Sequence, residues 1–478
     1  MKLSSLFKHT AIYGIATVLP RILNLILTPL HIDNLEKEQY GVYQGIFAYM
    51  ILGNVLLTYG METAFFRFIN KETDKENVKS TTMLSIVATT FLFFILFWIF
   101  KSNIAFHFQY SELFIKYAIG ILALDTLVAI PLAWLRNEGK SVSYTIIKTG
   151  NVFVNLIINV FYFKMMPDMA KFAPQIYNFL EQEDLVTYIF IANFIASLMT
   201  FLVLLPIYFK MKLEFSFSLW KKMIRYALPI LIAGIAFSIN EAFDRIFIRM
   251  LYPPEVADAT VGIYSACYKM GVFMTLFITA YKLGIEPFFF STAQDKNAPK
   301  SYAKITRVFI IFGSFILLFV SVYTDILKRI LIPNPTYWEA LWIVPFVLFA
   351  NLCLGIYHSL SVWYKITDKT HYGAVISIVG GVVTIVANLA LIPLIGYRGA
   401  AIATLLAYAT MMTLSFVIGQ KKYPIPYNLR KIGLYLLFSV GTTMLNFYLL
   451  NRNMITGTLF LFLFVGIVYF SEKKKVLK

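Results

Sequence analysis

Gly41-Val42-Tyr43, leading to Gly60-Met61-Glu62-Thr63-Ala64-Phe65-Phe66, returns about 220 residues later as Gly262-Ile263-Tyr264, leading to Gly284-Ile285-Glu286-Pro287-Phe288-Phe289-Phe290. Two copies of one pattern in apolar surroundings predict two related bundles of membrane helices. Repeats of this size are the sequence mark of secondary transporters, whose site forms where the halves meet and whose cycle rocks one half against the other. Function is therefore sought first in transport.

The remainder of the chain agrees. Of 478 residues 59% are hydrophobic, 17% aromatic and only 14% charged, which excludes a soluble multidomain enzyme. A helix needs roughly 20 mostly apolar residues to cross the hydrocarbon. Such windows fall near residues 10–30, 40–63, 80–100, 113–135, 142–163, 185–209, 226–248, 260–283, 302–323, 340–363, 371–392, 399–419, 432–450 and 454–470. The expected fold is an all-α polytopic membrane protein of about 14 transmembrane helices.

The net charge of +17 first suggests nucleic acid, but its placement points elsewhere. With both termini in the cytoplasm, 29 Lys and Arg fall on the inner side, 10 on the outer, and three (Arg21, Arg245, Lys269) inside apolar windows. This is the positive-inside bias. Segments such as Lys210 to Arg225 and Lys473-Lys474-Lys475 then serve topology at an anionic leaflet. Lys2 and Lys8 precede an apolar run as in a signal peptide, but the run is long, holds Pro20 and Arg21 and lacks a cleavage site, so it reads as a retained first helix. Cys267 and Cys353 lie in predicted helices and form no disulfide framework.

Six helices per copy is an even number, so the copies share one orientation and relate about an axis along the membrane normal. The expected organisation is an N-lobe over 1–212, a C-lobe over 220–422 and an appended helix pair over 423–478. No long soluble insertion interrupts it. Any site then lies in the membrane or at its surface.

Ionised side chains at membrane depth are costly and mark cavities or mutual pairs. The deep set is Arg21, Asp125, Glu241, Asp244, Arg245 and Lys269. Glu241 and Arg245 stand at i, i+4 with Glu first, the favourable order. One reading is an internal ion pair, which leaves Asp244 in need of Lys269 or water. The other is that a carboxylate exchanges a proton or sodium ion while a cation holds an anionic substrate. Asp125 is a coupling-ion site or a packing hydrogen bond, and Lys269 an anion site or a partner for Asp244. Arg21 precedes Arg245 by the 224 positions that relate Glu62 to Glu286; it faces a cavity or snorkels. Glu62 and Glu286 read as packing or capping residues, and Arg67 as a surface anchor or a headgroup contact at the inner mouth. Asn24, Asn54, Asn155, Asn159, Asn193, Asn351 and Asn388 read mostly as interhelical hydrogen bonds.

No P-loop occurs, so transport would draw on an ion gradient or substrate supply. His and Cys spacing offers no metal site. The loop from Lys164 to Asp184, with Asp168, Glu181, Glu183 and Asp184, presents no recognisable catalytic pair. The expected cofactors are none beyond a coupling ion, H+ or Na+.

The chain resembles the polysaccharide (O-antigen-type) flippases of the multidrug, oligosaccharidyl-lipid and polysaccharide exporter superfamily. The residues that carry the likeness are Leu19-Pro20-Arg21 with Pro29, Tyr40-Gly41-Val42-Tyr43, Gly60 to Arg67, Tyr226 to Pro229, Asp244-Arg245, Val261 to Tyr264 with Pro287, and Leu391 to Thr404. The resemblance implies two pseudo-symmetric six-helix lobes plus two C-terminal helices. It implies a transporter that flips an undecaprenyl-pyrophosphate-linked oligosaccharide from the cytoplasmic to the outer leaflet of the bacterial inner membrane, in cell-surface polysaccharide biosynthesis. It assigns pyrophosphate binding to Arg21, Lys269 and Arg245. Membrane lipids and other polysaccharide-assembly proteins are the implied partners. The alternatives are a cation-coupled multidrug antiporter of the same superfamily and, from another class, a membrane glycan polymerase or ligase.

Overall fold

A computed structural model describes residues 3–172, Gln175, 184–293 and 295–473, with side chains from Thr17 onward except at Ala170, Pro287, Phe290 and Ser291. Among these residues the chain is helical, with no strand. A bilayer demands this, because a helix satisfies its own backbone donors and acceptors where water is absent. Thirteen helical stretches are long and apolar enough to cross a membrane. The 32-residue first helix is the remaining one of the fourteen expected.

The chain divides into two compact units, Met1–Ser238 and Ile239–Lys478. The division falls inside one 35-residue helix, Phe217–Leu251, beyond the basic stretch at which the sequence suggested a break. Its first half explains why. Leu219, Met223 and Ala227 are buried in a cluster with Met61, Phe65 and Phe68 of the first unit.

The first unit holds α1 (Leu3–Asn34), α2 (Lys37–Thr58), the short α3 (Met61–Lys71), α4 (Lys75–Ile99), the short α5 (Lys101–Phe108), α6 (Glu112–Asn137) and α7 (Ser141–Val160). A π-helical turn at Phe161–Met165 leads to α8 (Met166–Phe172), and α9 (Leu185–Phe209) and the first half of α10 (Phe217–Leu251) follow. Local chemistry sets several boundaries. Glu36 and Gln39 form a capping box at the start of α2. The Asp74 carboxylate accepts the Asn77 amide at 3.0 Å to open α4, and Ser111 opens α6 in the same way. Between α2 and α3 the backbone is left-handed at Tyr59 (φ 34°) and Gly60 (φ 73°). Gly60 is required twice over, because a Cβ there would also lie 2.7 Å from the Ala227 carbonyl oxygen.

The second unit continues with α11 (Pro254–Tyr268), a 3-10 turn at Lys269–Gly271, α12 (Val272–Ser291), α13 (Ala298–Val322), α14 (Thr324–Leu331), a 3-10 stretch Pro335–Ile343, α15 (Val344–Leu360) and α16 (Val362–Ile366). Then come α17 (His371–Ile395), α18 (Tyr397–Lys422), α19 (Leu429–Met444) with a π turn to Leu449, and α20 (Met454–Lys473). Ala400, Ala403, Thr404 and Ala407 are buried on α18, which packs on both α17 and α15, and such small residues let backbones approach without a hydrophobic drive from water. The final pair is tied back to α13: Glu472 accepts from Arg307 at 3.1 Å, Lys431 at 3.0 Å and Tyr435 at 2.9 Å.

Candidate functional site

The deep charges of the second unit converge on α10 and α11. The Asp244 carboxylate is 4% exposed and fully engaged. One oxygen accepts the Arg245 amide at 2.8 Å and its guanidinium at 3.2 Å, and the other accepts the Tyr264 hydroxyl at 2.8 Å. Arg245 also donates to the Glu241 carbonyl at 3.2 Å and lies 4.9 Å over the Tyr268 ring. Its Nε has no hydrogen-bond partner among the described residues. A buried cation thus sits between one carboxylate and one aromatic face, an arrangement that loses most of its worth if either charge is removed alone.

This corrects one expectation. The carboxylate that pairs with Arg245 is the adjacent Asp244, and Asp244 is not left in want of Lys269. The spacing argument favoured Glu241 because i, i+4 partners meet on a helix surface. It could not see that Tyr264, four residues before Tyr268 on α11, holds Asp244 in place. Glu241 itself is exposed, and its charge acts on Arg245.

Lys269 is placed differently. It begins the 3-10 turn that interrupts α11 and α12, it is half-buried, and among the described residues it makes no ion pair or hydrogen bond. The positive charge of Arg245 acts on it. Asp244 and Glu241 balance Arg245 and Lys269 in formal charge, but Lys269 stands at a helix break, where 3-10 geometry frequently marks a hinge.

Above this cluster α10 is joined to α17 and α18 through Asn240. Its carboxamide oxygen accepts Thr384 at 2.6 Å, and its carbonyl accepts Tyr408 at 3.2 Å. Tyr264, Tyr268 and Tyr408 were missed in the sequence. Tyr264 had a signal, since it closes the repeated Gly-x-Tyr.

In the first unit Asp125 accepts a hydrogen bond from Ser197 at 2.7 Å, joining α6 to α9. The packing hydrogen bond, one of the two readings given for Asp125, is present. Arg21 is exposed on α1 and has no partner among the described residues. Lys148 on α7, which loop sorting assigned to the inner-side cations, is also exposed within a membrane helix, and its charge acts on Asp125. Of the six expected residues, Glu241, Asp244, Arg245 and Lys269 belong to the second unit and Arg21 and Asp125 to the first.

Glu62 pairs with Arg136 at 3.2 Å and Glu286 with Lys365 at 2.6 Å, so both are packing residues as the sequence suggested. Arg67 lies 4.2 Å over Tyr226. The asparagines divide. Asn159 reaches His31 on another helix at 2.7 Å, whereas Asn193 and Asn388 turn back to carbonyls of their own helices. Among the described residues no cluster of His, Cys, Asp or Glu could hold a metal ion. Glu181 and Glu183 of the long loop lie outside those residues.

Fold and sequence together define a multi-pass, all-helical membrane protein. The model of the family described as "Polysaccharide biosynthesis protein" matches residues 6–293, 288 of the 478, and the chain belongs to that family. The fold is shared with the lipid II flippase MurJ in its inward closed conformation, at TM-score 0.73 and 14% identity over 98% of this chain and 100% of that one. It is also shared with an inward-facing multidrug resistance MATE family transporter of the MOP superfamily (TM-score 0.65, 12% identity, 87% and 95% covered). A third likeness is a MOP superfamily transporter from Pyrococcus furiosus described as having a binding pocket of reversed polarity (TM-score 0.59, 11% identity, 90% and 96% covered). No curated protein sequence matches the chain.

Proposed function

We propose that this protein is a flippase carrying an undecaprenyl-pyrophosphate-linked oligosaccharide from the cytoplasmic to the outer leaflet of the bacterial inner membrane by alternating access. The observation that carries the reading is membership of a polysaccharide biosynthesis family in a chain that shares the fold of a lipid II flippase over nearly its full length. The charge pattern supports it. Lys269 and Arg21 have no carboxylate partner among the described residues, which suits a site that waits for the negative charge of a diphosphate. Both termini face the cytoplasm in this reading, the orientation that puts most basic residues on the inner side. Inner-leaflet lipid-linked glycan is the cargo, and enzymes that assemble and consume it are the expected neighbours. The chain carries out no covalent step in this scheme. A proton or sodium gradient, or supply of substrate alone, drives the cycle.

The multidrug antiporter is the second reading, favoured by the MATE likeness and by the buried acid Asp244. Proteoliposomes separate the two. The flippase reading expects a fluorescent undecaprenyl-diphosphate oligosaccharide to become accessible to a membrane-impermeant quencher faster with protein than without it. Arg21→Gln and Lys269→Gln should each abolish that gain while inserting normally. Equal exchange with and without protein, alongside gradient-driven export of a lipophilic cation, would overturn it in favour of the antiporter.

A further inference from the structure

Two neighbouring membrane helices of the first unit each carry a polar stripe. On α7 the residues Ser141, Thr145, Lys148, Asn151, Asn155 and Asn159 recur at steps of three and four, the period of one helix face. Exposed Val142, Ile146, Phe153 and Ile157 occupy the opposite face. On α1 the stripe is Thr17, Arg21, Asn24, Thr28 and His31, again at steps of four and three, with exposed Ile22 and Ile26 turned the other way. A lipid-facing surface accounts for the apolar sides. It does not account for Lys148 and Arg21, which are exposed on the polar sides.

The stripes meet at one end. His31 Nε2 and Asn159 Oδ1 are 2.7 Å apart, and Asn159 donates to Asn155 at 2.9 Å. Two residues further along α1, Asp33 pairs with Lys164 at 3.2 Å. Contacts that advance together along both segments mean that the two helices run parallel. Arg21 lies ten residues before His31, and Lys148 eleven before Asn159. At 1.5 Å per residue these are runs of about 15 and 16.5 Å, so the two cations stand at one depth to within about 2 Å. Beyond the polar contacts that close the outer part of the seam, both cations lack partners: neither makes an ion pair or hydrogen bond among the described residues. Asp125, the carboxylate that feels Lys148, is already held by Ser197.

We propose that Arg21 and Lys148 are the two halves of one anion clamp for the diphosphate of a lipid-linked substrate, an inference that rests on the flippase reading. A guanidinium matches one phosphate through paired N–H donors, and an ammonium acts as a point charge on the other. Two cations at one depth discriminate a diphosphate from a monophosphate, which a single arginine does not. The parallel seam also explains why Lys148 occupies a polar stripe at all, where a purely topological lysine needs no particular face.

The test is binding of undecaprenyl diphosphate, undecaprenyl monophosphate and phosphatidylglycerol to the full-length protein in nanodiscs, followed by native mass spectrometry. Lys148→Gln should weaken undecaprenyl diphosphate by about tenfold, the worth of one charge-assisted hydrogen bond, with a smaller loss for the monophosphate and none for phosphatidylglycerol. Lys148→Arg should retain the diphosphate preference. Losses in Arg21→Gln and Lys148→Gln should fail to add in the double variant, as for two groups on one ligand. Lys148→Met keeps the length of the stem and gives the same readout if the glutamine variant does not fold. Undiminished diphosphate affinity in the Lys148 variants, with loss in Arg21→Gln, overturns the clamp and leaves the flippase reading standing. An equal loss for phosphatidylglycerol assigns Lys148 to general headgroup contact and also overturns it. A wild-type protein that binds no undecaprenyl diphosphate sinks both.

Discussion

The two copies of the repeated pattern keep the same tie and break the helix in different places. In the first copy the helix stops at Thr58 and restarts at Met61, after left-handed Tyr59 and Gly60. In the second copy the chain runs helically through Gly284 and breaks at Lys269–Gly271 instead. Each glycine's surroundings account for the difference. Gly60 lies against the Ala227 carbonyl, whereas a Cβ at Gly284 would meet nothing within 4 Å among the described residues outside its own helix backbone. The close approach in the second copy has moved to Gly271, where a Cβ would meet Val347 at 2.8 Å and Asn351 at 3.1 Å. The duplication therefore preserved a motif in sequence while the bend lies, in the second copy, at a turn that begins with Lys269, a cation without an ion pair among the described residues. The arginines differ in the same sense. Arg245 is buried and neutralised by Asp244, while Arg21, 224 positions earlier, is exposed and open.

That contrast is broken most forcefully at Asp244. Asp244→Ala leaves Arg245 buried with its carboxylate gone and Tyr264 without its acceptor, and should cost about 3 to 5 kcal/mol. Thermal unfolding in detergent, followed by loss of monodisperse protein, measures it. Arg21→Gln should shift the same transition by less than about 0.5 kcal/mol, the range of an exposed substitution. A comparable loss in both variants would mean that Arg21 has a structural partner, and the distinction between a closed and an open arginine would fall.

The glycines sharpen the comparison of the bends. Gly60→Ala imposes a side chain on a positive φ and on a carbonyl oxygen at 2.7 Å, and should destabilise by about 1 to 3 kcal/mol. Gly284→Ala sits in continuous helix with open space, and should stabilise by up to about 1 kcal/mol. Opposite signs at the two matched positions are the expected result of paired melting curves. Destabilisation at both would show that Gly284 also serves a bend.

Much of this was legible in the sequence, for physical reasons. A bilayer permits one structure for an isolated apolar segment, so windows of suitable length gave the helices, and the bias of Lys and Arg gave an expected orientation. The glutamates near helix ends read correctly as packing residues. The bends were not legible, because the same Gly-x-Glu signal accompanies a break in one copy and none in the other, according to what packs on the glycine. Nor was the partner of Arg245, since spacing along α10 cannot report that a tyrosine from α11 fixes Asp244. Lys148 escaped because sorting charges by loop records how far along the chain a lysine lies and ignores the face of the helix it occupies. Helical periodicity of the polar residues was the available signal.

The smallest effects concern the tie that both copies retain. Glu62 joins α3 to the end of α6 through Arg136, and Glu286 joins α12 to α16 through Lys365. Such exposed pairs contribute about 0 to 1 kcal/mol and weaken with salt, so Glu62→Gln and Glu286→Gln should each lower stability by less than about 1 kcal/mol. The cations are not equivalent, however. Arg136 also lies 4.9 Å over Phe66 and 5.7 Å over Tyr144, while Lys365 has no such ring among the described residues. Arg136→Ala should therefore cost more than Glu62→Ala, by about the 0.5 to 1 kcal/mol of an exposed cation–π contact, whereas Lys365→Ala should equal Glu286→Ala. The double exchange Glu62→Arg with Arg136→Glu restores the ion pair but not the aromatic contacts, and should recover only part of the loss. Full recovery would show that the pair alone holds α3 to α6, and that the two copies use one device after all.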